Sequence, residues 1–364
     1  MVLKDRDLLI WLNHVGGISS KRLNNLTEYF GSLQELWKAD ELHIKKALNN
    51  NRIIAESLIK NRNKNYLNEL IHKITEKDIR AVTIYDHEYP DKLKCIYDPP
   101  YVIYIKGRLI LDNPKIAIVG ARKASTYGRW AAFHFARELA LWGVGTVSGM
   151  ALGVDTEAHK GSLAEKMNTI AVLGCGVDLC YPASNSQLML EILNNNGCIL
   201  SEYPPGTPPM KHHFPARNRI ISGLSDGVFI VEAAEKSGAI ITVDFALEQG
   251  KEVFALPGNI NNSQSKGTNS LIKDGAKIVL EVDDLLDELK KDYSLLNRKE
   301  NIRVNVSLSD KEAKIYNIIK KEPIHIDLIV HSSGMKISEL NPILTVLELK
   351  GFICQLRGKT FTVI

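Results

Sequence analysis

The apolar positions change rhythm twice along the chain. Over residues 1–75 they recur at helical spacing, as in Leu8, Leu9 and Leu12, then Leu33, Leu36 and Trp37. That period predicts amphipathic helices. Between 76 and 290 short continuous runs take over: Ile116–Val119, Gly145–Ser148, Thr169–Leu173, Cys198–Leu200, Gly227–Val231, Glu252–Ala255 and Lys277–Leu280. Near-continuous apolar runs of this length are the mark of parallel strands buried on both faces. Helical patterns separate them, which predicts a doubly wound, Rossmann-like α/β domain. Ala81–Tyr85 and Tyr101–Ile105 predict two further strands extending the sheet. The polar stretch 291–301 reads as a linker. Beyond it, over 302–364, helical patterns near 309–321, 324–332 and 338–350 precede Phe352–Leu356, a turn at Gly358 and Thr360–Ile364. Three helices and a terminal hairpin predict a winged helix.

The first region also carries a tight glycine turn, His14-Val-Gly-Gly-Ile-Ser-Ser-Lys-Arg22. Its form is that of a helix-hairpin-helix, whose turn amides can approach a phosphate. It is equally the form of a plain helical hairpin with a glycine C-cap and a serine N-cap.

Composition narrows the class. Hydrophobic residues at 45% and charged residues at 24% are ordinary for a soluble globular chain. No stretch approaches the roughly 20 apolar residues of a membrane span, and the start of the chain lacks a signal-peptide pattern, so a cytoplasmic protein with no membrane partner is expected. The five cysteines suggest no disulfide framework. Cys175 and Cys180 lack a histidine at metal-ligand spacing, so neither metal nor cofactor is expected. The net charge is +4, but its distribution says more. From Arg80 to Lys290 there are 21 Lys and Arg against 24 Asp and Glu. A nucleic acid bound by this middle region must meet a local basic patch.

The chemistry gathers in loops that follow predicted strands, where open α/β sheets bind ligands. The first, Gly120-Ala-Arg122-Lys123-Ala-Ser-Thr-Tyr-Gly128, opens a helix, so its amides could face an anion beside two cations. It holds no G-x-G-x-x-G dinucleotide fingerprint. The second, Ser148-Gly149-Met-Ala-Leu-Gly153-Val-Asp155, is built of small residues that allow close approach of backbone to ligand. Asp155 could orient Arg122, hold a sugar hydroxyl or cap a helix, and His159 reads as a packing residue. Leu173-Gly-Cys-Gly-Val-Asp178 and Ser201-Glu-Tyr-Pro-Pro-Gly-Thr-Pro-Pro209 frame the same edge. The prolines stiffen the presentation of Lys211, Phe214, Arg217, Asn218 and Arg219. Arginine forks grip phosphate and an aromatic ring stacks on an unpaired base, which is the chemistry of holding a single strand. Arginines beside a proline turn can also simply pair with local carboxylates. Ser237, Gly238 and Thr242 offer another strand–loop–helix anion site. No nucleophile–base pair stands out, so no catalytic residue is assigned. The set describes a long polyanion groove better than a pocket for one small cofactor.

In order, VGAR…TYG, SGMALGVD…AH, TIAVLGCGVD…YP, LSEYPPG, FPARNRIISGLSD, VEA…SGAIIT, LPGN and GTNSLIKDGA resemble the DNA-processing protein A family (DprA, also called Smf) over about residues 80–285. The resemblance implies a Rossmann-like domain that dimerises, binds single-stranded DNA and helps load the RecA recombinase onto incoming DNA in natural transformation. It places the family's loop arginine at Arg122, and its lysine and phenylalanine at Lys211 and Phe214. Ala121 departs from the serine common in the family. Two other readings stand beside it. One is a nucleotide phosphoribohydrolase-like enzyme, from the Ser-Gly-Ala-Ile-Ile-Thr…Glu248 segment, although the glycines of that family's loop are mostly missing. The other is a winged-helix regulator of duplex DNA. The helix expected to enter a groove, Ser338–Lys350, carries two glutamates and one lysine, a composition suited to packing or protein contact.

Overall fold

The computed structural model describes residues 3–49, 51–292, 308–320, 323–349, 352–356 and 358–363. It divides into two compact units, Met1–Arg298 and Lys299–Ile364. The expected linker at 291–301 lies outside the described residues but for 291 and 292, which end a helix.

The larger unit opens with helices α1 to α6, at Asp5–Val15, Ser20–Phe30, Leu33–Lys38, Glu41–Ala47, Arg52–Lys60 and Lys64–Glu76. Side-chain caps start several of them: Ser19, Ser32, Asp40 and Asn51 each accept a backbone N–H from the first turn. Strands follow at β1 Arg80–Thr83, β2 Val102–Gly107, β3 Lys115–Val119, β4 Gly145–Ser148, β5 Thr169–Val172, β6 Cys198–Ser201, β7 Gly227–Ile230, β8 Glu252–Ala255 and β9 Lys277–Ile278. The interleaved helices are α7 Asp91–Lys94, α8 Thr126–Leu141, α9 Val154–Ala164, α10 Ser186–Asn194, α11 His213–Gly223, α12 Ile240–Glu248, α13 Lys266–Lys273 and α14 Asp283–Asp292.

Among the described residues these strands make one sheet in the order β1-β2-β6-β5-β4-β3-β7-β8-β9. The contiguous set from β6 to β9 is parallel, while β1 and β2 add an antiparallel flank. All nine expected strands are present. The central ones are buried along their whole length, as their unbroken apolar runs required. The chain winds outward from β3 in one direction to β6, then returns to lay β7 on the other side of β3. That reversal opens a crevice at the carboxyl ends of β3 and β7.

Helices α1–α6 do not stand apart. Leu8, Trp11, Leu36 and Leu58 share a continuous buried cluster with Tyr101, Tyr104, Leu173 and Ile199 of the sheet domain. The glycine turn is docked rather than free-standing: Ser20 Oγ donates to the Pro99 carbonyl at 2.7 Å, and Tyr101 Oη donates to the Ile18 carbonyl at 2.9 Å.

The smaller unit contains α15 Asp310–Ile319, β10 Ile324–His325, α16 Ile326–Ser333, α17 Ile337–Leu349, β11 Ile353–Leu356 and β12 Thr360–Val363. It is a winged helix with a three-stranded sheet, β10-β12-β11. One element differs from expectation: 324–325 pairs with Phe361 and Thr360 as a strand, so the second helix starts only at Ile326. His325 at its N-cap accepts the Asp327 amide. Leu340, Leu344 and Leu347 of α17 enter the core.

Candidate nucleic-acid interface

A cavity of about 680 Å³ fills the crevice at the switch point. Its walls come from the carboxyl ends of six parallel strands. Gly120, Arg122 and Lys123 follow β3; Ala151 and Asp155 follow β4; Tyr181 follows β5. Lys211, Phe214, Arg217 and Asn218 follow β6, Ser237, Gly238 and Thr242 follow β7, and Gln264 follows β8. Ten of the thirteen residues singled out from the sequence line it, and Ser148, Gly149 and Arg219 do not. The expected long groove is, at its centre, a cavity within the size range of sites for single small ligands.

The Phe-Pro-Ala-Arg-Asn-Arg segment is a helix rather than a loop. It forms the first two turns of α11, where Pro215 sits in the first turn and needs no intrahelical partner for its nitrogen. Helical spacing then divides the segment. Phe214, Arg217, Asn218 and Ile221 face the cavity, whereas His213, Ala216 and Arg219 face a second groove on the other side of α11.

This division separates the two arginines. Arg219 is 8% exposed and bidentate: Nη1 and Nη2 each donate to a different Glu202 carboxylate oxygen at 2.7 Å. Its Nε donates to the Asp98 carbonyl at 2.9 Å. Burial alone would lower its pKa, but the hydrogen bonds to Glu202 and the Glu202 charge outweigh it and hold the guanidinium above its ordinary value. Arg219 is therefore an internal strut, and its sequence-based place among nucleic-acid contacts is corrected.

Arg217 reaches the cavity floor but is only 4% exposed. Its Nη1 donates to the Gly149 carbonyl at 2.7 Å and also to the Val172 carbonyl, lacing the ends of β4 and β5 together. Burial pulls its pKa down to about 10, with the Asp155 charge opposing and Arg122 adding to the fall. It remains a cation at neutral pH. Asp155 accepts the amides of Gly149 and Ala151 at 3.1 and 3.3 Å, and burial raises its pKa against the pull of Arg217. Gly149 acts beneath the cavity: a Cβ there would lie 2.6 Å from Arg217 Nη2 and 2.7 Å from Asp155 Oδ2. Ser148 is fully buried and donates to the Ile118 carbonyl, tying β4 to β3.

The first loop also departs from expectation. Its helix N-terminus is already occupied by an internal carboxylate. Glu232, 1% exposed, accepts the Ser125 amide at 2.8 Å and the Ser125 hydroxyl at 2.5 Å. Ser125 Oγ in turn accepts the Gly128 amide at 3.0 Å. A second anion at this end of α8 would meet Glu232, so anion affinity in the loop falls to the exposed Arg122 and Lys123.

The aromatic element is a pair. Phe214 packs against Tyr181 with ring centroids 5.3 Å apart, and the Arg122 guanidinium lies 5.4 Å from the Phe214 centroid. Tyr181 is 44% exposed and was not picked out from the sequence; an aromatic next to Pro182 in a loop after a buried strand was its only signal. Asn218 bridges, accepting from Arg217 Nε and donating to the Gly238 carbonyl, both at 3.3 Å. The lining thus holds four cations, Arg122, Lys123, Lys211 and Arg217, against one carboxylate, Asp155. Among the described residues no cluster of three or more His, Cys, Asp or Glu could hold a metal ion, and no helix is long and apolar enough to cross a membrane.

A doubly wound domain with a basic, aromatic-walled crevice defines a class of anion-binding protein, and comparison with known proteins supplies the family. The model for DNA recombination-mediator protein A matches residues 80–290, and that for the DprA winged helix domain matches 303–359. The chain belongs to the DNA recombination-mediator protein A (DprA/Smf) family. It is 38% identical to Protein Smf of Escherichia coli over 276 residues, covering 74% of each chain. It is 44% identical to DNA processing protein DprA of Bacillus subtilis over 216 residues, 59% of this chain and 72% of that one. Among solved structures, DprA of Streptococcus pneumoniae superposes with a TM-score of 0.68 at 34% identity, covering 79% of this chain and 99% of that one. DNA processing protein A of Helicobacter pylori, described for its single-stranded DNA binding mode, gives 0.52 at 35% identity, covering 59% and 98%.

Proposed function

We propose that this chain is a non-enzymatic single-stranded DNA-binding protein that processes DNA for transformation and recombination. The observation that carries this reading is the charge and ring content of the switch-point cavity. Four cations and two aromatic rings converge there against one carboxylate, in a domain with a slight acidic excess. Phosphates are placed on Arg122, Lys123 and Lys211, with the Ser237 hydroxyl and the Gly238 amide beside them. An unpaired base is placed on the Phe214–Tyr181 pair, and Thr242 and Asn218 complete the wall. Arg217 supplies positive potential from the floor. The DNA-binding mode described for the Helicobacter pylori relative supports the assignment.

The phosphoribohydrolase-like alternative loses its carboxylate, because Glu248 lines the groove on the far side of α11 rather than the cavity. A duplex-reading role for the winged helix gains nothing from α17, which carries no Lys or Arg among the described residues. Packing or protein contact is the role we infer for it. On the strength of family membership, the proposal extends to a dimer that hands the strand to a RecA-type recombinase.

The test is a salt titration of binding to a thymidine homopolymer and to a duplex of equal length, for wild type, Arg122→Ala and Lys211→Ala. Tight, salt-sensitive binding to the single strand is expected. Each substitution should reduce the slope of log K against log salt by about one unit or less. Equal affinity for both DNA forms, with neither substitution having an effect, would overturn the proposal.

A further inference from the structure

A cavity of about 680 Å³ is of the size that holds a single small ligand, so the chain of a longer bound polymer must leave it over some part of the rim. One part of the rim has the chemistry to receive it. Along one side of α8, Tyr127, Trp130 and His134 form a column of rings. Tyr127 and Trp130 lie 6.2 Å apart at 26°, and Trp130 and His134 lie 5.0 Å apart at 7°. The spacing of three and four residues places these side chains on one helix face. Burial pushes the His134 imidazole below its ordinary pKa, so the column ends in a neutral ring near neutral pH. At the other end Tyr127 is 45% exposed.

Short chain segments join this column to the lining of the cavity. Lys123, on the cavity wall, lies four residues before Tyr127. The Tyr127 hydroxyl donates to the Pro257 carbonyl at 3.4 Å, and the segment starting at Pro257 runs on to Gln264, which lines the cavity. The charge pattern is one-sided. Residues 120–130 and 257–264, the segments that join column and cavity, contain three cations, Arg122, Lys123 and Arg129, and no Asp or Glu. Elsewhere in the same domain acids outnumber bases. The carboxylate beneath this surface, Glu232, is buried and committed to Ser125.

We propose that Tyr127, backed by Trp130 and His134, is a second base-stacking platform, over which a single strand continues after leaving the cavity past Lys123. The inference rests on the single-strand reading of the cavity and adds a direction and a second anchoring ring to it. The column pre-orders the Tyr127 ring, so that stacking a base costs little further side-chain entropy. Nucleobases of any sequence fit such a platform, because each offers a π-face.

The experiment compares a six-nucleotide with a twenty-nucleotide thymidine homopolymer by fluorescence anisotropy, using the full chain. Tyr127→Ala should weaken the twenty-mer by about five-fold or more, the equivalent of one lost stacking contact, and leave the six-mer within about two-fold. Tyr127→Phe keeps the ring and the fold, and should bind both lengths as wild type does. Equal weakening of both lengths by Tyr127→Ala overturns the platform and makes Tyr127 a support for the first loop, with the cavity reading intact. No weakening of either length overturns it as well. A wild type that binds neither oligomer removes the cavity reading, and the platform falls with it.

Discussion

Replacing Arg219 by alanine should unfold this protein more readily without touching its DNA contacts. The side chain is 9% exposed and its partner Glu202 is 16% exposed. Truncation removes two charge-assisted bonds at 2.7 Å and a bond at 2.9 Å to the Asp98 carbonyl. More importantly, it leaves the partly buried Glu202 carboxylate without a cation. Breaking a fully buried pair costs about 3–5 kcal/mol, and the partial exposure of Glu202 puts this one at the lower end. The Asp98 side chain, 45% exposed, adds little because solvent screens it. The loss should appear as a lower midpoint in urea denaturation followed by circular dichroism. A variant that replaces Arg219 and Glu202 together by methionine should recover most of it, since the orphaned charge is gone. DNA affinity of folded Arg219→Ala, measured well below its unfolding midpoint, should stay within about two-fold of wild type, as expected for a side chain outside the interface. A stability loss under about 1 kcal/mol, or a large affinity loss in folded protein, would refute the assignment of Arg219 as a strut.

That assignment marks where the sequence stops being legible. The strands could be read because burial on both faces forces unbroken apolar runs, and Ile116–Val119 or Gly227–Val231 can hardly be anything else. The edge of the sheet that carries the site followed from parallel connectivity, and ten of the thirteen chosen residues line the cavity. The failures share one cause. Arg217 and Arg219 are chemically identical in the sequence, and only the 100° rotation per residue of a helix sends one to the cavity floor and the other to Glu202. The sequence allowed that an arginine here pairs with a local carboxylate, but only the helix decides which of the two does so. Glu232 was equally unreadable: it lies 107 residues from Ser125 in sequence, and nothing local says that a carboxylate already occupies the helix end. Tyr181 was missed because its ring gains meaning only beside Phe214. Local pattern reveals elements and edges; which neighbour satisfies a given charge is decided by long-range packing.

Three further outcomes follow from the same geometry. Phe214→Ala should lower single-strand affinity by about 1–3 kcal/mol, with Phe214→Trp close to wild type; unchanged binding by Phe214→Ala in anisotropy titrations would remove the ring from the interface. Gly149→Ala should destabilise the fold, because its Cβ would meet both Arg217 and Asp155; a midpoint in urea equal to wild type would show that the β4–β5 lacing is not rigid. Finally, stability should fall on acidification through His159. This imidazole is fully buried, with Nδ1 2.8 Å from Thr169 Oγ1, and burial, reinforced by the Arg217 charge, lowers its pKa to about 3. Its folded pKa lies below the unfolded value of about 6.5. The unfolded state therefore takes up the proton first, so the stabilisation present above about pH 6.5 is progressively lost toward pH 3, with about 2 kcal/mol gone by pH 5. His159→Gln should lose that share of the pH dependence, whatever its stability at neutral pH. An identical fall between pH 7 and 5 in the variant and wild type would place the acid sensitivity elsewhere.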